Sequence, residues 1–177
     1  MKILLDADQV RTAIDVLVDR IVETTPSGVD IAVIGLKSRG EILAQRFSRM
    51  LTEKLGRDIP CGALDITLYR DDINDPHGKV QPTVRSTEID FDIDNCIIIL
   101  VDDVLETGRS IRAAMDALID LGRPKAIRLA VLVDRGHREL PIQADYCPCD
   151  VTVPLDKSIE VSLIETDDID QVVISDA

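Results

Sequence analysis

The sequence predicts an α/β fold, a doubly wound and mainly parallel sheet with helices on both faces. Three observations lead there. Two apolar runs, VDIAVIGL at 29–36 and CIIILV at 96–101, are continuous rather than alternating, as in strands covered on both faces. Segments of helical periodicity lie between the strand-like runs. The alternation of strand and helix along the chain then favours a parallel sheet, with ligands expected at the carboxyl ends of its strands.

Each element has its own justification. Residues 8–24 place Val10, Ala13, Ile14, Leu17, Val18 and Ile21 on one helical face, with Asp8 as the expected N-cap and Asp15 and Asp19 on the wetter side. Pro26-Ser27-Gly28 ends this helix, and the first buried strand follows. After Lys37-Ser38-Arg39-Gly40 a second helix is expected to about Leu55. Residues 63–70 alternate, with Leu64, Ile66 and Leu68 against Asp65, Thr67 and Tyr69, which predicts a half-exposed strand. Residues 71–88 are polar and carry Pro, Gly and Asn, the composition of a mobile loop. Cys96 opens the second apolar strand and reads as core. A helix over 110–121 would bury Ile111, Ala114, Met115 and Leu118 and stop at Gly122. Further strands are expected at 127–133, near 159–163 and at 171–174.

A chain of 177 residues suits one domain spanning 1–177. No apolar run approaches bilayer length, and acidic residues interrupt MKILLDADQV at once, so a cytoplasmic location and no membrane attachment are expected. The net charge of -13 disfavours nonspecific binding to nucleic acid or anionic lipid. A small phosphorylated ligand is still permitted, because its needs are local. Cys147-Pro148-Cys149 has no second Cys or His pair nearby, a weak basis for zinc. With only His77 and His137 in the chain, a histidine metal site lacks material.

The chemistry concentrates in Ile99-Leu100-Val101-Asp102-Asp103-Val104-Leu105-Glu106-Thr107-Gly108-Arg109-Ser110. A buried strand delivers two carboxylates to the sheet edge, and a short loop then enters a helix. Such a loop offers N–H groups and hydroxyls to a phosphate monoester, and Gly108 removes a Cβ from the anion's path. Asp102 and Asp103 can accept from a sugar diol or help to position Mg²⁺, directly or through water. The string matches neither a Walker loop nor the dinucleotide fingerprint.

This string resembles the phosphoribosyl pyrophosphate signature of type I phosphoribosyltransferases. Two more strings, Leu64-Asp65-Ile66-Thr67-Leu68-Tyr69-Arg70-Asp71-Asp72 and Leu132-Val133-Asp134-Arg135-Gly136-His137-Arg138-Glu139-Leu140-Pro141-Ile142, are similar to hallmarks of the PyrR family. Its members combine uracil phosphoribosyltransferase activity with attenuation of pyrimidine operon transcription. The resemblance implies the type I phosphoribosyltransferase fold, with a flexible flap and small hood elements. It implies that Lys37, Ser38, Arg39 and Gly40 grip the pyrophosphate, with Arg39 as the charged donor. Asp102 and Asp103 would hold the ribose hydroxyls and the Mg²⁺ environment. Val104, Leu105, Glu106, Thr107, Gly108, Arg109 and Ser110 would bind the rest of the phosphoribosyl pyrophosphate, the last four as the 5-phosphate cradle. Tyr69 and Arg70 would stand at the base of the flap, with Arg70 assisting catalysis. Val133, Asp134, Arg135, Gly136 and His137 would face uracil. Phosphoribosyl pyrophosphate, uracil and UMP are the implied ligands, Mg²⁺ the implied cofactor, and a homo-oligomer the implied assembly.

The resemblance also implies binding to leader mRNA, and here the chain departs. Asp15, Val16, Asp19 and Thr24 occupy helix positions where the family offers Thr, Arg, His and Arg. Residues 139–177 carry ten acidic residues against the single Lys157. A phosphate-tracking face needs the opposite balance, so RNA attachment is expected to be lost or greatly weakened. Arg11, Arg20, Arg46 and Arg49 are the basic residues left to support it.

Overall fold

The computed structural model describes residues 1–70 and 86–176; the loop expected at 71–88 lies mostly outside the described residues. The chain opens with strand β1 (Lys2–Leu5) and helix α1 (Ala7–Thr24), then β2 (Ile31–Leu36) and α2 (Arg39–Leu55). Next come β3 (Cys61–Leu64), β4 (Ile97–Leu105), α3 (Arg109–Leu121) and β5 (Ala126–Asp134). The remainder holds β6 (Cys149–Asp150), β7 (Lys157–Ser162), the short α4 (Ile164–Asp167) and β8 (Gln171–Asp176).

Two sheets result. The larger has the order β3-β2-β4-β5-β6, all pairs parallel. The smaller is antiparallel, β1-β8-β7. Strand alternation sorts the core into two layers. Val33, Ile99, Val101, Ala130 and Leu132 pack with the apolar stripes of α1 and α2, including Leu17, Ile21, Leu43 and Phe47. Ala32, Ile34, Ile98, Leu100, Leu129 and Val131 face Ile111, Ala114 and Leu118 of α3. Both faces of the sheet are therefore covered, as the unbroken apolar runs require. Each fully buried Leu, Ile or Phe contributes roughly 1.5–3 kcal/mol of transfer free energy. Val161, Leu163 and Val172 join the α1/α2 layer, so the small sheet shares its core.

Several boundaries differ from expectation for identifiable reasons. The N-cap of α1 is Asp6, not Asp8: the Asp6 carboxylate accepts from Gln9 N–H at 2.9 Å, and the Gln9 side chain accepts from Asp6 N–H at 2.9 Å. This capping box satisfies two donors at once. The expected strand over 63–70 ends at Leu64. There the Asp65 carboxylate accepts from Thr67 N–H at 2.9 Å and from its hydroxyl at 2.5 Å, a local turn that competes with strand pairing. A 3₁₀ turn at Thr67–Tyr69 follows, with Thr67 buried and Leu68 exposed, the reverse of the alternating pattern. Cys96 lies one residue before β4 and is only half-buried. Gly122 does end α3, but in an extended conformation (φ 171°). Its constraint is space, because a Cβ would stand 2.7 Å from Asp94 Oδ1 and 2.8 Å from Ile93 Cγ1.

Candidate active site

The carboxyl ends of β2, β4 and β5 reach one edge of the large sheet, with Gly35 opposite Val101 and Leu105 opposite Asp134. This register brings together the segments 37–40, 102–110 and 133–137. The junction of the first two is tight. A Cβ on Gly40 would lie 2.6 Å from the Val101 carbonyl oxygen and 3.2 Å from Asp102 Cα. Only a glycine allows the start of α2 to rest on the backbone that carries the acid pair.

Asp102 and Asp103 close the buried part of β4. Asp102 Oδ1 accepts from Asp103 N–H at 3.0 Å, and Asp103 Oδ1 accepts from Val104 N–H at 2.9 Å. Burial, and then the neighbouring Asp103, push the Asp102 carboxyl well above the usual carboxylate range. Such a pair is chemically ready for cationic company, from a metal ion or from a substrate centre that gains positive charge. Among the described residues no group of three or more His, Cys, Asp and Glu forms a metal cluster. Burial pushes the Cys147 thiol up to about 11. Cys147 packs on the α3 side of the sheet and Cys149 on the α1/α2 side, so they do not face one ion.

Beyond the acids the chain turns through Glu106 and Thr107 to Gly108, whose φ of 88° lies in the left-handed region that glycine favours. A cavity of about 130 Å³ opens there, lined by Asp102, Val104, Leu105, Glu106, Thr107, Gly108, Ser110 and Ile111. The start of α3 forms part of its wall, so helix N–H groups and the positive end of the helix dipole favour an anion. The backbone carbonyls of this loop bond elsewhere. Leu105 O accepts from Arg135 N–H at 3.0 Å, and Glu106 O accepts from Arg138 Nη1 at 2.6 Å. Thr107 O accepts from the N–H groups of Glu139 and Leu140 at 3.0 and 3.2 Å. Three consecutive carbonyl dipoles, each repulsive to a phosphate, are thus taken up by residues 135–140. Arg138 was not singled out by sequence reasoning. Its guanidinium also donates to Ile142 O at 2.8 Å and pairs with Asp134; an arginine four residues past a strand-end aspartate was the available signal.

The remaining expected residues are placed as follows. Ser38 is exposed, and the Lys37–Ser38 peptide is cis. Lys37 Nζ donates to Glu88 at 2.8 Å and holds that carboxyl below its usual range. Arg39 turns toward the small sheet, with Nε donating to Val161 O at 2.8 Å and Nη2 to Asp167 at 3.0 Å. Arg70 is exposed at the end of the 3₁₀ turn. That turn is tied to α3, because Tyr69 Oη donates to Asp120 at 2.8 Å and Arg112 Nη2 donates to Tyr69 O at 2.9 Å. Arg109 Nε donates to Glu139 at 2.5 Å. Asp134 accepts from Gly136 N–H at 3.0 Å, Val133 is buried, and the His137 ring meets Val153 O at 2.6 Å. Arg135 is almost wholly buried.

A parallel sheet, an acid pair at a strand end and an anion cradle at the next helix define a class, and comparison with known proteins identifies it. The model of the phosphoribosyl transferase domain matches residues 2–163. The fold is shared with hypoxanthine phosphoribosyltransferase of Trypanosoma cruzi, at a TM-score of 0.72 with 17% identity over 98% of this chain and 95% of that one. A point mutant of that enzyme, solved as a ternary substrates complex, superposes at 0.73, with 15% identity over 98% of this chain and 94% of that one. Curated relatives lie much nearer in sequence. The bifunctional protein PyrR of Deinococcus deserti is 50% identical over 98% of this chain and 93% of its own length. That of Bacillus cereus strain AH820 is 47% identical over 98% and 97%. The chain belongs to the PyrR family of phosphoribosyltransferases. Among the described residues no helix is long and apolar enough to cross a membrane.

Proposed function

We propose that this protein transfers the phosphoribosyl group of phosphoribosyl pyrophosphate to uracil, giving UMP and pyrophosphate. The observation that carries the reading is the continuous passage from the acid pair at the end of β4 into the phosphate-sized cradle before α3. The 5-phosphate sits in the cradle of Thr107, Gly108, Arg109 and Ser110, and the ribose hydroxyls are held by Asp102 and Asp103. Anchoring the sugar at both ends orients its anomeric carbon toward the acceptor base. As the C–O bond to pyrophosphate breaks and the C–N bond to uracil N1 forms, with the N1 proton released to the departing pyrophosphate, positive character grows on the ribose. The carboxylates of Asp102 and Asp103 stabilise it. Lys37, Arg39 and Arg70 offer charge to the departing pyrophosphate, and Arg39 does so by exchanging Asp167 for phosphate oxygens.

The adjacent carboxylates fit Mg²⁺, which favours hard oxygen ligands and commonly joins one or two carboxylates to substrate phosphates. When bound, Mg²⁺ would neutralise charge on the pyrophosphate. The base lies beside the segment 133–137, where backbone groups and the Asp134 carboxylate supply the polar edge. Purified protein with phosphoribosyl pyrophosphate and Mg²⁺ should form nucleotide from uracil and not from hypoxanthine, guanine or orotate. Preference for a purine would refute the acceptor assignment, and no turnover with any base would refute the reaction.

We further propose that attachment to RNA is lost or greatly weakened in this chain. Asp15, Val16 and Asp19 are exposed on α1. Of the arginines that could compensate, Arg11 is paired with Asp8, and Arg46 is held by Glu165 and Asp170; of the acids, Asp19 is paired with Lys54, which leaves Asp15 as the main repelling charge. Such pairing spends their charge within the protein.

A further inference from the structure

Arg135 offers an apparent puzzle. A guanidinium that is 6% exposed is buried directly behind the phosphate loop, and its Nε has no hydrogen-bond partner. Burying an arginine without full satisfaction costs stability, and an apolar side chain of similar size commonly serves a core better. What the arginine gains is geometry. Its Nη2 donates to Pro154 O at 3.2 Å and to Lys157 O at 2.8 Å, while Nη1 lies 3.6 Å from Glu106 Oε1. Its own N–H is bonded to Leu105 O. Two residues on, the His137 ring holds Val153 O. Side chains from the strand end therefore fix three carbonyls of the turn at 153–157 and tie that turn to the phosphate loop.

We infer that Arg135 is a positioning residue that sets the 153–157 turn against the phosphate loop and thereby shapes the base-binding side of the site. The inference rests on the acceptor reading given above. A trans peptide is planar, so fixing the Pro154 carbonyl also fixes the Leu155 N–H on the opposite side of the same unit. The Leu155 N–H is a main-chain donor suited to a pyrimidine carbonyl, and its direction follows from where Arg135 holds Pro154 O. The flat fork of a guanidinium can reach two carbonyls and a carboxylate together, which a lysine ammonium does less well.

The test compares Arg135→Met, Arg135→Gln and Arg135→Lys with the parental enzyme. The expected result is a rise of about tenfold or more in KM for uracil in the Met and Gln variants, with KM for phosphoribosyl pyrophosphate within about twofold. The Lys variant should recover part of the loss. Equal rises for both substrates, or an unchanged KM for uracil in folded variants, would overturn the inference. Hydrogen exchange supplies an independent readout, in whichever variant folds. The Lys157 amide, which donates to Pro154 O at 3.1 Å, should exchange faster while the amides of β2 and β4 keep their protection. An unchanged Lys157 amide would also overturn it. If the parental protein forms no UMP, the acceptor assignment fails by itself, and the exchange result still decides the role of Arg135.

Discussion

Replacing Gly40 by alanine should damage catalysis more than stability, and the structure indicates how far. The new Cβ would lie 2.6 Å from Val101 O and 3.2 Å from Asp102 Cα, both backbone atoms with no flexible side chain to yield. An ordinary carbon–oxygen contact is about 3.3 Å or more, so α2 and β4 must separate by roughly 0.7 Å. Overpacking of this kind costs about 1–3 kcal/mol. For a chain of this size that is a fall in Tm of roughly 2–12 °C. The displaced backbone carries Asp102, and a misplacement near 1 Å at a reacting centre can cost about 100-fold. Gly40→Ala should therefore lower kcat for UMP formation by roughly 10- to 100-fold at a temperature where the variant is fully folded. Melting followed by circular dichroism, with a UMP assay well below the transition, separates the two effects. A variant with parental Tm and kcat within twofold would show that the contact does not position the acid pair.

Three further outcomes are expected. Asp102→Asn combined with Asp103→Asn should abolish most UMP formation while the far-ultraviolet spectrum is retained; a folded double variant with near-parental turnover would refute the role of the pair. The Arg46 clamp should make the protein acid-labile, because hydrogen bonds from Arg46 hold Glu165 and Asp170 below their usual carboxyl values. Groups with depressed folded pKa values contribute stability above their unfolded values near 4, and lose it as pH falls through the lower folded values. Tm should thus decline below about pH 4.5, and Arg46→Met should flatten that acid limb; parallel Tm–pH curves would count against it. Finally, leader RNA of the host's pyrimidine operon, with Mg²⁺ and UMP present, should bind no more tightly than unrelated RNA in a mobility-shift assay. Tight, UMP-enhanced and leader-specific binding would contradict the reading of the α1 surface.

The sheet and the strand–loop–helix passage at 102–110 were legible in the sequence because each depends on local pattern. Short continuous apolar runs rich in Ile and Val are typical of strands covered on both faces, and Asp102 to Ser110 occupy consecutive positions on one strand–loop–helix passage. The capping box of α1 was written just as locally, as Asp6 and Gln9 three residues apart, yet the sequence reading placed the N-cap at Asp8. What escaped depends on distant partners. Strand β1 exists because it pairs with β8 at the other end of the chain. Arg39 faces Val161 and Asp167, more than a hundred residues away, and Arg135 faces Pro154 and Lys157 across a loop. Alternation misled at 63–70 because a single aspartate, Asp65, bonded its own backbone neighbourhood more favourably than a strand neighbour could.

The carbonyls of Leu105, Glu106 and Thr107 all bond to residues 135–140. The two segments are thus not separable parts, whatever their distance in the chain. Anyone wishing to redirect the enzyme to another acceptor would naturally transplant the stretch after β5 from a relative with different taste. That graft would also rebuild the backbone whose N–H groups hold Leu105 O and Thr107 O, and would put at risk the Arg138 guanidinium that takes up Glu106 O. A chimaera exchanging 135–142 alone would inherit a new preference on a damaged handle, whereas one exchanging 105–108 with it would carry the matched pair. On the proposed assignment of these two segments, specificity for the base and grip on the sugar phosphate would be inherited together.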